Sequence, residues 1–477
     1  MIDPSHLDRL RAIVGQKGLV DDPSLMRSYE IGARYDEGKA AFVVRPETTQ
    51  QVSAVIAYAV AHGIPLVPQS GNTGLVGGST PDTSGSQGVI SLDRLTTPLK
   101  IDVDNRTVEV AAGVRLSALN EALAPHGFFL PVDLGADPMI GGMVATNTGG
   151  ARFLRYGSMR RQVLGLEVVL PDGEGTILDL ASGLRKDNSH VDLKQLFIGT
   201  SGALGIVTRA VLELQRLPQQ TATALIVPQD DASVPLLLRY LEERCGEYLT
   251  AFEGMSQNAM ERALGHVKHL RNPFAHGTIP AYAILVELTR SWAPQEGEME
   301  LSTFLENVLA QTFEDESPLL SDALVGRSND LWAIRHALSE GLKASGYVIA
   351  FDLSLPRSDL ARFRQQIVGL LRETFPELAV CDFGHIADGG VHFNLVHPGR
   401  PDAAYIAHVR DQVLDVVVNR YGGSFSGEHA LGRSNQAFYD RYTPALVQKL
   451  SASVRRVVGT AAMGNVRLAA HDSFYTH

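Results

Sequence analysis

The chain has 477 residues, more than one ordinary core holds, so two domains are expected. Its 44% hydrophobic and 20% charged residues are a globular composition, and a formal net charge of −11 argues against nucleic acid or an anionic membrane as the main partner. Two cysteines, Cys245 and Cys381, are too few and too far apart for an iron–sulfur cluster and form no CxxC pair. The start has no basic-then-apolar signal pattern, no apolar run approaches the roughly 18 residues of a membrane helix, and the cytoplasm is the expected compartment.

In chain order, Phe42-Val43-Val44 reads as a strand closed by Pro46. Thr48 and Gln51 have capping-box spacing, and the apolar positions that follow predict a helix to Ala61, before Gly63. Ile64 to Pro68 returns to extended chain. Ile101-Asp102-Val103 and Val108-Glu109-Val110 flank Asp104-Asn105 as a hairpin, and a strand at 166–170 ends in the turn Pro171-Asp172-Gly173. Past Leu217-Pro218 the glycine-dense texture gives way to longer alternation. Strands are expected at 221–227, 282–288, 348–355 and 379–383, with amphipathic helices at 358–375 and 402–421. This reads as a second domain, an antiparallel sheet with helices packed on it.

Three glycine-rich segments mark the first domain: Pro68-Gln69-Ser70-Gly71-Asn72-Thr73-Gly74-Leu75-Val76-Gly77-Gly78, Gly141-Gly142-Met143-Val144-Ala145-Thr146-Asn147-Thr148-Gly149-Gly150, and Phe197 through Gly205-Ile206-Val207-Thr208. Glycines so spaced let successive amide N–H groups turn inward as a nest for pyrophosphate oxygens. None matches the Rossmann or P-loop pattern, and each alone could be a loop that needs glycine for its turns. Together, with small hydroxyl and amide residues between, they favour a large phosphorylated cofactor.

The order of these motifs, with Arg185-Lys186-Asp187-Asn188-Ser189-His190 before the third, resembles the FAD-linked oxidase family of the vanillyl-alcohol-oxidase type fold. The branch resembled contains D-lactate, glycolate and D-2-hydroxyglutarate dehydrogenases, and the likeness runs from about Val43 to Arg433. It implies an α+β protein: a two-part FAD-binding domain over 1–216, a substrate (cap) domain over 217–425, and a C-terminal segment over 426–477 that returns to the first domain and the active site. It implies non-covalent FAD with the pyrophosphate on the loop from Ser70 to Gly74, and extends the cofactor-contacting set to Pro131, Tyr156 and Gly157. The loop holds no histidine for a covalent flavin link. Ser201 departs from the family's usual glutamate.

In the second domain, Asp388-Gly389 between apolar runs signals a two-residue hairpin. Counting outward sets His385 opposite His392 on one face, with Asn394 two residues on and sharing that face. Ser426-Gly427-Glu428-His429 offers a carboxylate as third ligand, and two histidines with one carboxylate suit a catalytic zinc or a non-haem iron. The resemblance assigns His385, His392 and Glu428 to one divalent metal, zinc being expected, and His429 as proton acceptor. Leu331-Trp332-Ala333-Ile334-Arg335 resembles the family helix that carries a carboxylate-binding arginine, and Ser339 lies one turn on. Ala350 stands where the hydroxyglutarate branch has a lysine, and the stretch from Ala462 to Leu468 lacks the family's Asn-Pro-Gly-Lys.

The function expected is oxidation of a D-2-hydroxy acid of the D-2-hydroxyglutarate, D-malate or D-lactate class, with hydride passing to the flavin. Electrons then go to an external acceptor such as an electron-transfer flavoprotein or a quinone, and a homodimer is compatible with the sequence. Three alternatives stay open: a metal-free flavin alcohol oxidase, a His-His-Glu zinc hydrolase, and a non-catalytic FAD or metabolite binder.

Overall fold

Thr48 Oγ1 accepts a hydrogen bond from the Gln51 N–H at 3.2 Å, and Gln51 Oε1 accepts from the Glu47 N–H at 2.7 Å. These two side-chain bonds cap the helix Thr49–Ala61, which buries Val52, Val55, Ile56 and Ala59. The computed structural model describes residues 2–34, 37–274, 277–314, 317–459, 461 and 463–468. The strands in chain order are β1 (Leu19–Val20), β2 (Phe42–Val44), β3 (Leu66–Gln69), β4 (Gly88–Ser91), β5 (Leu99–Asp102), β6 (Thr107–Ala111), β7 (Phe128–Phe129), β8 (Val163–Val169), β9 (Ile177–Leu180) and β10 (Ile206–Glu213). They continue as β11 (Gln215–Arg216), β12 (Gln220–Pro228), β13 (Leu249–Ser256), β14 (Tyr282–Arg290), β15 (Leu320–Gly326), β16 (Tyr347–Ser354), β17 (Ala379–Val380), β18 (Phe383–Gly384) and β19 (Gly390–His397).

The chain divides into two compact units, the first made of Met1–Gly149, Ser158–Arg216 and Glu428–His477. Its four-stranded sheet runs β1-β2-β4-β3, with β4 parallel to both β2 and β3. Phe42, Val43 and Val44 are all buried, the unbroken apolar run that a parallel strand covered on both faces requires. An antiparallel sheet, β5-β6-β10-β8-β9, follows, and β7 pairs with β11. One core joins Phe42, Ile56, Val108, Ile140, Leu166 and Leu212.

The second unit is Gly150–Gly157 with Leu217–Gly427. Its antiparallel sheet runs β15-β12-β14-β13-β18-β19-β16, with β17 also paired to β19. The helices Gln257–His266 and Ser328–Ser345 share a core with this sheet through Met260, Ala263, Trp332 and Leu338, packed with Leu225, Met255, Leu285 and Phe383.

Two boundaries differ from the sequence reading. Gly150–Gly157, expected in the first domain, belongs to the second unit. Ala151 joins that unit's core, Arg152 Nε donates to Glu287 Oε1 at 3.3 Å, and Arg155 Nη1 donates to Thr289 O at 2.7 Å. The second boundary falls after Gly427 rather than 425, because Ser424 to Gly427 completes the edge of β16. There Ser424 N donates to Ser354 O at 2.7 Å and Gly427 N to Asp352 O at 3.1 Å.

Candidate functional site

In the first unit the three glycine segments are contiguous. The loop from Ser70 follows directly on β3. A Cβ added at Gly71 would lie 3.1 Å from Met139 N, and one at Gly142 would lie 3.2 Å from Ser70 Cβ, so the first loop presses closely on the start of the helix Ile140–Thr146. The third segment closes on the end of that helix: Gly199 N donates to Val144 O at 3.1 Å and Ser201 N to Ala145 O at 2.7 Å. Thr146 Oγ1 bonds Gly142 O at 3.0 Å and pairs with Thr148 Oγ1 at 2.8 Å. Around Gly74 the space is open, with only Ser79 Oγ at 4.0 Å. A cradle of uncovered backbone that side chains would fill fits a flat phosphorylated cofactor.

Other expected cofactor residues are placed more closely by these contacts. Asn72 turns its side chain inward, donating to Ile31 O at 2.8 Å and accepting from Ser79 Oγ at 2.9 Å, which leaves its backbone as what it offers a ligand. Pro68 packs beside Gly202, while Gly205, Ile206 and Val207 enter β10 as buried residues. Pro131 is buried after β7, and Leu75, Gly77 and Gly78 complete the first loop. Thr73 is half-buried, and Gly141 packs on Ala112. Gly149 ends the first unit; Gly150, Tyr156 and Gly157 lie in the second, with the Arg155 guanidinium 5.2 Å from the Tyr156 ring.

In the second unit the histidine pair forms by a different route from the one expected. The residue opposite His392 on the neighbouring strand is Phe383, not His385. The chain leaves β18 at Gly384, whose φ of 141° suits glycine, and His385 lies in a loop wider than two residues. That loop is closed by Asp388 N and Gly390 N on His385 O, at 3.1 and 3.2 Å, and by Gly390 N on Asp388 Oδ1 at 2.7 Å. The two imidazoles still meet, with centroids 5.1 Å apart and planes at 80°. Asp352 sits opposite His392 across β16 and β19, its Oδ1 3.8 Å from His392 Nδ1, and Ala350 sits opposite Asn394. Asn394 is buried and donates to His392 O at 3.0 Å.

Glu253 on β13 ties this cluster to the helix Ser328–Ser345. One oxygen meets His385 Nδ1 at 2.8 Å and the other accepts from Arg335 Nε, also at 2.8 Å. Burial would raise its carboxyl pKa, but the neighbouring His385 and Arg335 and their hydrogen bonds outweigh that and hold it below the ordinary value. A carboxylate on Nδ1 leaves Nε2 of a neutral ring with its lone pair, the arrangement seen behind metal-bound histidines. The Arg335 guanidinium also lies 4.8 Å from the Phe383 ring. With Nε turned to Glu253, its terminal amino groups can grip a carboxylate end-on. Ser339, one turn along, is exposed.

Glu428 and His429 follow directly on Gly427, and within the first unit His429 Nε2 lies 3.9 Å from Glu428 Oε1 with both side chains mostly buried. The loop beyond them is braced: Asn435 Nδ2 donates to Ala430 O and Gly432 N to Asn435 Oδ1, both at 2.8 Å. Ser201, the departure in the third glycine segment, donates to Leu431 O at 2.8 Å. The departing C-terminal stretch also braces the first loop, through Asn465 Nδ2 on Thr80 O at 2.6 Å; Ala462 lies outside the described residues. Glu253 and Asp352 were not singled out from the sequence. The available signal was a single acidic residue within an otherwise largely apolar stretch, Asp352 in the expected strand 348–355 and Glu253 in a segment for which no strand was expected.

Known proteins resemble this chain over most of its length. Residues 40–179 match the model of an FAD binding domain, and residues 217–458 match that of the FAD linked oxidases, C-terminal domain. The chain is 33% identical over 470 residues to a mitochondrial D-2-hydroxyglutarate dehydrogenase of Arabidopsis thaliana, covering 96% of this chain and 80% of that one. A D-2-hydroxyglutarate dehydrogenase of Xanthomonas citri pv. viticola is 32% identical over 450 residues, covering 92% and 91%. Among solved structures, p-cresol methylhydroxylase superposes with a TM-score of 0.73 at 15% identity over 95% of this chain and 94% of its own. Alkyldihydroxyacetonephosphate synthase gives 0.70 at 15% identity over 96% and 83%, and both share the fold.

Proposed function

Because the chain belongs to the FAD-linked oxidase family and is an FAD-dependent D-2-hydroxyacid dehydrogenase, we propose that it oxidises an acid of the D-2-hydroxyglutarate, D-malate or D-lactate class beside a divalent cation held by His385, His392 and Glu428. The observation that carries this reading is the perpendicular imidazole pair with His385 Nδ1 anchored on a buried carboxylate. That donor set suits zinc.

FAD, when bound, supplies the acceptor for the two electrons that leave with the C2 hydrogen. A cation at the histidines would lower the pKa of the substrate hydroxyl and fix its geometry. The chain's own residues do the rest. Arg335 holds the second carboxylate of a diacid substrate through its terminal amino groups, Asn394 and Ser339 offer further polar contacts, and His429 takes the hydroxyl proton. We place reoxidation on an external acceptor such as an electron-transfer flavoprotein or a quinone. The two cysteines, both buried, are too few to bind a cluster, and no described helix is long and apolar enough to cross a membrane.

Anaerobic mixing of the purified flavoprotein with D- and L-lactate, malate and 2-hydroxyglutarate tests the substrate class. Bleaching of the flavin absorbance by a D-acid and not by its L-enantiomer is expected. A flavin that none of these acids reduces would return the chemistry to metal-free alcohol oxidation.

A further inference from the structure

Two buried carboxylates face the helix Ser328–Ser345 from adjacent strands of the second unit. Glu253 on β13 and Glu287 on β14 are each 1% exposed. Glu287 accepts from Trp332 Nε1 at 2.7 Å and from Arg152 Nε at 3.3 Å. Glu253 accepts from Arg335 Nε and meets His385 Nδ1, at 2.8 Å each. Trp332 and Arg335 lie one turn apart, so the two carboxylates pin the same helix at two points. Glu253 alone of the two also holds an imidazole.

We infer that Glu253 is a positioning residue that serves both halves of the chemistry: one rigid carboxylate sets the tautomer of His385 and the aim of Arg335. The inference rests on the reading of His385 as a metal ligand and Arg335 as the substrate anchor. A carboxylate that bridges two donors must accept with both oxygens. Glutamine has the same shape but one acceptor, and its amide NH2 must face one of the two partners. Arg335 cannot give up its Nε hydrogen, whereas an imidazole can move its hydrogen from one nitrogen to the other. The amide therefore turns its oxygen to Arg335 and donates to His385 Nδ1, which sends the ring hydrogen to Nε2, the nitrogen a cation needs.

The test compares wild type, Glu253→Gln and Glu287→Gln, each loaded with flavin. The zinc dissociation constant is measured by competition with a chromogenic chelator, and the ring nitrogen shifts of 15N-labelled His385 are read in zinc-free protein. Glu253→Gln is expected to weaken zinc binding roughly 10- to 100-fold, as loss of a carboxylate behind a metal-bound histidine does. It is also expected to move the ring hydrogen to Nε2, while Glu287→Gln keeps wild-type zinc affinity and tautomer. Unchanged zinc affinity in Glu253→Gln, or an equal loss in Glu287→Gln, would overturn the inference. A wild-type protein that binds no zinc overturns the metal reading instead, and the His385 shifts alone then decide the role of Glu253.

Discussion

His385 and His392 meet ring to ring, 5.1 Å between centroids, although neither is the other's partner in the strand ladder. The loop from His385 to Gly389 brings the first imidazole over, and Glu253 holds it there through Nδ1. His392→Ala should therefore lose the metal while keeping FAD, because the glycine cradle lies wholly in the other compact unit apart from Gly150, Tyr156 and Gly157. Metal analysis beside the flavin absorbance checks this, and a variant that keeps its metal would contradict the ligand assignment.

Arg335→Ala should raise KM for D-malate or D-2-hydroxyglutarate more than for D-lactate, since a guanidinium that holds a second carboxylate matters only to a diacid. Equal effects on both would remove that role. The same change strips one partner from the buried Glu253, and with His385 still in contact the cost should sit near about 3 kcal/mol, the low end for breaking a buried pair. Denaturant unfolding of the second unit measures it.

Gly389→Ala should destabilise the histidine loop. Its φ is 89°, and a Cβ there would lie 2.0 Å from Leu355 O, whose own N–H donates to Gly389 O at 3.0 Å. Backbone strain alone costs about 1–3 kcal/mol, and the clash adds to it. A lowered Tm with weakened zinc binding is expected, and an unchanged Tm would contradict the close approach.

Cys245 and Cys381 should resist thiol reagents at pH 8 in the native protein and both react once it is unfolded. Burial pushes their thiols up to about 11 and about 12 from the ordinary 9.0. The raised values mean the folded state holds its protons longer than the unfolded one. This contribution to stability is complete below pH 9 and is lost as pH rises through the folded values. Native-state modification at pH 8 would show that the second unit opens more readily than its core implies.

The sequence carried the chemistry-bearing residue types, because histidines beside a turn signal and an arginine on an amphipathic helix are local patterns. Register was harder to read. The count from Asp388-Gly389 set His385 opposite His392, but Gly384 ends its strand early and the loop takes up the difference. Glu253 was hidden for a related reason: its partners lie 82 and 132 residues away, His385 brought near by the pairing of β13 with β18 and Arg335 by the helix Ser328–Ser345 packed on the same core. Gly150–Gly157 changed units because Arg152 and Arg155 find acceptors on β14, a contact that no local pattern announces.

The most direct test of metal-assisted oxidation is the anaerobic rate of flavin bleaching by the preferred D-acid before and after complete removal of the metal with a chelator. The stripped protein is expected to stay yellow in the presence of substrate and to bleach again when zinc is restored. Bleaching at an undiminished rate without metal would contradict it.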